Sequence, residues 1–122
     1  MNIDFDYIKA AELLEAVGTI FLIPEWHTKG RETRDCEGGS VPAITSKEAC
    51  SFCAIGGIYA AGCDPLFSGY GVTGLAETYL DKDPAVARAG DIIGFNDDKD
   101  RTPEQVAKAF FRTANRLRKQ AA

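Results

Sequence analysis

Apolar residues recur along this chain with a period close to that of an α-helix in several separate stretches. Tyr7, Ala10, Ala11, Leu14 and Val17 fall at i, i+3, i+4, i+7 and i+10, with Lys9, Glu12 and Glu15 on the other side. That stripe predicts a helix over about 4–17, capped by Asp4 and stopped at Gly18. The next segment, TIFLIPEW at 19–26, is β-branched and aromatic, and predicts a short extended piece ending at Pro24. Residues 27–44 are polar and glycine-containing and read as a long, mobile loop. A loop of that length in a small domain is a place to look for function.

A second helix is predicted over 46–61. Thr45 and Glu48 have the spacing of a capping box, and Gly62 follows as a stop. Ala49, Cys53, Gly57 and Ala61 then share one face of small residues, flanked by Gly56, against which another segment could approach closely. Phe52, Ile55, Ile58 and Tyr59 occupy the other faces, and a helix apolar all round is expected to be buried. A third helix is predicted over 72–80 and a short helical turn from Asp83-Pro84 to Ala89, ended by Gly90. Residues 91–95 fit either a strand or one helical turn. The last helix is the most clearly signalled: Thr102 caps it, Pro103 takes its first position, Gln105 completes a capping box, and Val106, Ala109, Phe110, Thr113, Ala114 and Leu117 form its stripe. The expected fold is therefore mainly α. It is one compact domain, residues 1–122, of four to five helices around a buried helix 46–61, with room for a short extended or hairpin element.

Composition adds limits. With 122 residues, 45% apolar and 26% charged, the chain can bury a real core. The acidic start, MNIDFDY, lacks a secretory pattern, and the longest nearly apolar run, 50–63, is short of the ~20 residues that span a bilayer. A soluble, cytoplasmic protein without membrane contact is expected. The net charge of −4 is uneven: residues 103–122 carry +4, leaving −8 elsewhere. Cations in the last turns suit the helix dipole and the acidic body. The sharper alternative is a weak nucleic-acid binder that uses this basic helix.

Two segments, CAIGGIYAA at 53–61 and FNDDKDRTPEQVAKAF at 95–110, resemble a family of small uncharacterised proteins from bacteria and their phages. Its pattern is a Cys-Ala-Ile/Leu-Gly helix start, a Trp/Phe-Asn-Asp turn, and Arg-Thr opening the last helix. A Trp-containing segment such as PEWHTKG also fits its layout. The resemblance covers about Tyr7 to Leu117 and rests on Cys53, Asn96, Asp97, Arg101 and Thr102. Gly57 stands where alanine is commoner and Phe95 where tryptophan is. Asp98, Cys36, Cys50 and Cys63 are particular to this chain. The resemblance implies a mostly helical fold and a bacterial or phage setting, and carries no activity.

Four candidate chemistries remain. Cys36, Cys50, Cys53 and Cys63, with His27 as a substitute, have the residue types of a zinc site, and Cys50 with Cys53 could form a redox pair. The plainer reading packs these thiols as small apolar groups. Cys53 with His27 and Asn96 or Asp97 has the residue types of a thiol hydrolase. A Cys53 in the second or third helical turn would gain nothing from the helix dipole, however. The acidic run 96–100 suggests calcium, but the sixth and twelfth positions of an EF-hand loop would be Arg101 and Ala107. A turn with Asn and Asp folding back on the backbone is simpler, with Arg101 paired to Asp97 or Asp98. Trp26 and His27, beside the polar loop, are the remaining hint of a binding surface, with a tryptophan that caps the core as the equal alternative.

The function expected on these grounds is a non-enzymatic binding protein, a phage or prophage accessory or anti-defence factor acting by protein contact. No catalytic residue, cofactor or metal is assigned. Binding candidates are Trp26, His27, Asn96, Asp97 and Arg101, the partner is a protein, and self-association is left open. The rival is a metal-binding module or thiol enzyme centred on Cys53.

Overall fold

A computed structural model describes residues 3–27, 33–35, 49–67 and 71–121. Helix α1 spans Ile3–Phe21. A 3-10 turn follows at Pro24–Trp26. Strands β1 (Thr33–Asp35) and β2 (Ala49–Phe52) precede α2 (Ala54–Gly62), α3 (Val72–Asp81), α4 (Pro84–Arg88), α5 (Ile92–Asp97) and α6 (Pro103–Ala121). The chain is a single, mainly helical domain, as its periodicities predict.

The two 19-residue helices, α1 and α6, lie side by side at its centre. Glu15 meets Arg118, Gly18 meets Phe111, and Phe21 meets Phe110. The partners descend along α6 as they ascend along α1, so the pair is antiparallel. Ala10, Leu13, Leu14, Val17 and Phe21 from α1 interlock with Val106, Ala109, Phe110, Ala114 and Leu117 from α6, all essentially without exposure. The smaller helices close over this pair, contributing Ile58, Val72, Leu80, Val86 and Phe95 to the same core.

Several sequence expectations change. Gly18 does not stop α1, which runs on to Phe21. A Cβ at Gly18 would lie 2.9 Å from Phe111 Cε1, so the glycine serves close approach of α1 to α6. Helix continues because Phe21, four residues after Val17, still faces the core; it ends because Pro24 disfavours helix in the residue before it. The segment 19–26 is therefore the last turn of α1 and a 3-10 turn rather than an extended piece.

The helix expected over 46–61 begins only at Ala54, because Ala49–Phe52 pairs as a strand with Thr33–Asp35. The pairing is antiparallel, Thr33 opposite Phe52 and Asp35 opposite Ala49, with an irregularity between Arg34 and Asp35. An apolar run of this length fits strand or helix equally by periodicity, and pairing decides. The Thr45–Glu48 box lies outside the described residues. The four-residue stripe does not exist as one helical face, since Ala49 is in β2, but its core survives. A Cβ on Gly57 would sit 2.7 Å from Val17 Cγ1 and 3.0 Å from Phe21 Cζ. The central position passes from this helix to the α1–α6 pair, and Tyr59 on α2 is exposed. Within the expected loop 27–44, Thr33–Asp35 is a strand; residues 28–32 and 36–44 lie outside the described residues.

Downstream the match is close. α4 starts at Asp83-Pro84 and gives way at Gly90, whose φ is +104°. Residues 92–97 are helical, which settles the open choice at 91–95. The capping box of α6 is formed at both ends: Thr102 N–H donates to Gln105 Oε1 (3.0 Å) and Gln105 N–H to Thr102 Oγ1 (3.2 Å).

Candidate functional site

Three segments far apart in sequence meet at the start of α2. Cys53 is the N-cap of that helix, with extended φ/ψ of −76° and 173°, and its Sγ accepts from Gly56 N–H at 3.2 Å. This corrects the expected position two or three turns into a helix. The strand β2 occupies the residues that would have formed those turns. Beside it, Asn96 of α5 is buried, and its Oδ1 accepts from Ala54 N–H at 2.9 Å. The same oxygen lies 2.6 Å from His27 Nε2. Asn96 Nδ2 donates to Asp97 Oδ1 at 2.9 Å. His27 is held on two further sides: its backbone bridges Phe52, the residue before Cys53, and its ring meets Phe21 edge-on at 5.1 Å between centroids.

The electrostatics of the thiol are mixed. Burial raises the Cys53 pKa above the ordinary thiol value. The N–H groups of Gly56 and Ile55 pull it down, and the Asp97 carboxylate pushes it up again, with a net rise. The resting group is a neutral thiol at neutral pH. The space beside it, lined by Cys53, Ile92, Ile93, Asn96 and Asp97, has a volume of about 10 Å³, close to the room one water needs.

Arg101 braces the same C-terminal end of α5. Its guanidinium lies 4.0 Å over the Phe95 ring, Nε donates to Phe95 O at 3.1 Å, and the charge partner is Asp98 at 3.9 Å. Asp98 also turns the backbone, accepting from Asp100 N–H at 2.9 Å. The acidic run is thus a turn leading into α6. Among the described residues no group of three or more His, Cys, Asp and Glu gathers as a metal site. Cys53 and Cys63 cap opposite ends of α2, about 15 Å apart at 1.5 Å per residue, so these two do not share an ion. Cys50 lies in β2, and Cys36 lies outside the described residues.

The Phe95–Thr102 segment and the Cys53 turn are thus joined through Asn96, across the region that a family profile matches at residues 7–116. The chain belongs to DUF6197, a family of unknown function. No curated protein and no solved structure matches the chain. Membership agrees with the expected resemblance to an uncharacterised family over about Tyr7 to Leu117.

Trp26 sits apart from this cluster's polar side, on the surface. Ile20, Leu22, Ile23 and Trp26 are 39%, 50%, 51% and 38% exposed, an apolar ridge at the end of α1 and the 3-10 turn. It adjoins a cleft of about 270 Å³ between α1 and α2, lined by Val17, Ile20, Phe21, Phe52, Ala61 and Phe67 and carrying Asp64 as its charged residue. Sequence reading picked Trp26 and missed Leu22 and Ile23, because it placed them in a short extended segment.

The basic tail is largely engaged by the protein itself. Arg112 forms a two-pronged pair with Asp83, both bonds 2.9 Å. Arg118 pairs with both oxygens of Glu15, Arg116 donates to Tyr79 O at 2.6 Å, and Lys108 lies 3.2 Å from Glu104. No helix among the described residues is long and apolar enough to cross a membrane.

Proposed function

We propose that this protein acts without chemistry of its own at the ridge, by docking a protein partner on Ile20, Leu22, Ile23 and Trp26. The observation that carries this is the concentration of four large, exposed apolar side chains in seven residues beside an apolar cleft. Isolated exposed apolar residues are ordinary; a contiguous set next to a concavity is the usual composition of an interface. Tryptophan at such a place supplies anchor energy. The engagement of Arg112, Arg116 and Arg118 by the body supports a protein partner over nucleic acid. On this reading the protein works in the cytoplasm as an accessory factor. The phage, prophage and anti-defence setting rests on the sequence resemblance.

The test is site-specific photo-crosslinking in the source cell, with the probe at Ile23 and, as a control, at Lys108 on α6. The expected result is a discrete adduct from Ile23 that Lys108 does not give and that Trp26→Ala weakens at least tenfold. An adduct of twice the chain mass would make the partner a second copy. Identical patterns from both positions, or none from Ile23, would remove the reading.

A further inference from the structure

The turn between α5 and α6 stands against α4 across a cavity of about 210 Å³. Ala85, Arg88 and Ala89 line it from α4 and its C-terminal cap, and Asp98 and Arg101 line it from the turn. Two guanidinium groups from separate elements thus share one cavity, in a chain whose net charge is −4. Arg101 is fixed in place. Its plane lies 4.0 Å over the Phe95 ring, Nε donates to Phe95 O at 3.1 Å, and the side chain is only 21% exposed. Its Nη groups make no hydrogen bond among the described residues. Asp98 is 3.9 Å from Nη2, an ion pair too long for a hydrogen bond, and Asp98 Oδ1 accepts from Asp100 N–H. Arg88 is exposed and forms no hydrogen bond or ion pair among the described residues. A cation in the last turn of α4 suits a helix dipole, but that does not account for a second, immobilised cation facing the same space.

We propose that this cavity binds a small phosphate monoester, with Arg88 and Arg101 holding the phosphoryl oxygens. One guanidinium fork is enough to match the two oxygens of a carboxylate. A phosphoryl group spreads its oxygens about a tetrahedron and accepts forks from two directions, as two arginines on different elements supply. Arg101 is already held in one orientation, so little side-chain freedom is lost when it binds. Asp98 leaves one net positive charge in the lining and offers an acceptor. A hydroxyl on the ester's carbon skeleton meets that acceptor, which a bare phosphate dianion does not. The methyl groups of Ala85 and Ala89 bound the space without filling it. Its volume is below the ~300–1,000 Å³ of drug-sized sites, which limits the skeleton to a few carbons. The site shares no residue with the ridge at Ile20–Trp26 and does not depend on it.

The probe is glycerol 3-phosphate, added to the intact ¹⁵N-labelled chain at constant ionic strength in phosphate-free buffer. The readout is the arginine Nε–H resonances. Those of Arg88 and Arg101 are expected to shift along a saturating curve, while those of Arg112, Arg116 and Arg118, engaged by the body, stay in place. Glycerol and acetate at the same concentrations are expected to shift neither. Arg88→Ala should weaken the probe about tenfold or more, as loss of charge-assisted hydrogen bonds does. Its urea midpoint should match the wild type, because Arg88 holds no other group. Shifts that grow linearly, or that spread over all the arginines, report charge screening and overturn the proposal. So does an unchanged affinity in Arg88→Ala, or an acetate curve equal to that of the probe. A phosphoserine peptide that binds about tenfold tighter than the probe would assign the cavity to a protein side chain and overturn the small-molecule reading.

Discussion

Glycines at 57 and 74 look alike in sequence, each inside a helix, and differ by what surrounds them. Alanine is about 1 kcal/mol better than glycine in a helix interior. At Gly74 nothing lies within 4 Å of a new Cβ, so Gly74→Ala should stabilise by up to about 1 kcal/mol. At Gly57 the new Cβ would meet Val17 Cγ1 at 2.7 Å and Phe21 Cζ at 3.0 Å, both in the packed core. Gly57→Ala should therefore destabilise by about 1–3 kcal/mol, as overpacking does. Urea titrations of the two variants check both signs. The side-by-side glycines at 56–57 thus have a partial explanation legible in sequence. Close approach was foreseeable, but the identity of the approaching side chains was not, because they come from α1. The same holds for Cys53: its residue type was visible, but its role as a cap depended on where the helix begins.

At the scale of elements, local signals decided wherever the partners were near in sequence. The Thr102–Gln105 box and Asp83-Pro84 start were readable because both partners lie within one turn. Thr102→Ala should cost about 1 kcal/mol in stability, with the loss appearing in the urea midpoint at constant slope. The stretch 49–52 was misread because its helical period had a rival pairing with 33–35 that no local signal announces. The end of α1 was misread for a related reason. Leu22 and Ile23 fit a short extended segment in a window of eight, and only the helix axis shows that Phe21 points inward while they face solvent.

At the scale of the molecule, the Asp83–Arg112 pair ties α4 to α6 and carries a pH signature. Burial of Asp83 raises its carboxyl pKa, but the bonds and charge of Arg112, with the N–H groups of Val86 and Ala85, outweigh it and hold the group below its ordinary value. A carboxyl lowered in the folded state is protonated first in the unfolded chain as pH falls. Its stabilisation is complete above about pH 4, the unfolded value, and is lost as pH drops through the folded pKa. Arg112→Ala leaves Asp83 buried without its cation. It should cost about 2–3 kcal/mol at pH 7, toward the low end for a broken buried pair because Arg112 is half exposed. The cost relative to wild type should shrink below pH 4, read by urea unfolding at pH 7 and pH 3.

The amino-acid sequence by itself determined the helical class, the positions of α3, α4 and α6, and the residue types that could do chemistry. Those depend on periodicity and caps, which act over a few residues. Only the tertiary structure decided that α1 and α6 form the centre, that 49–52 is a strand, and that His27, Cys53 and Asn96 share one place. Contacts between residues 27, 53 and 96 form when helices and strand pack together. Their geometry follows from the shape of the whole core, which no local window contains.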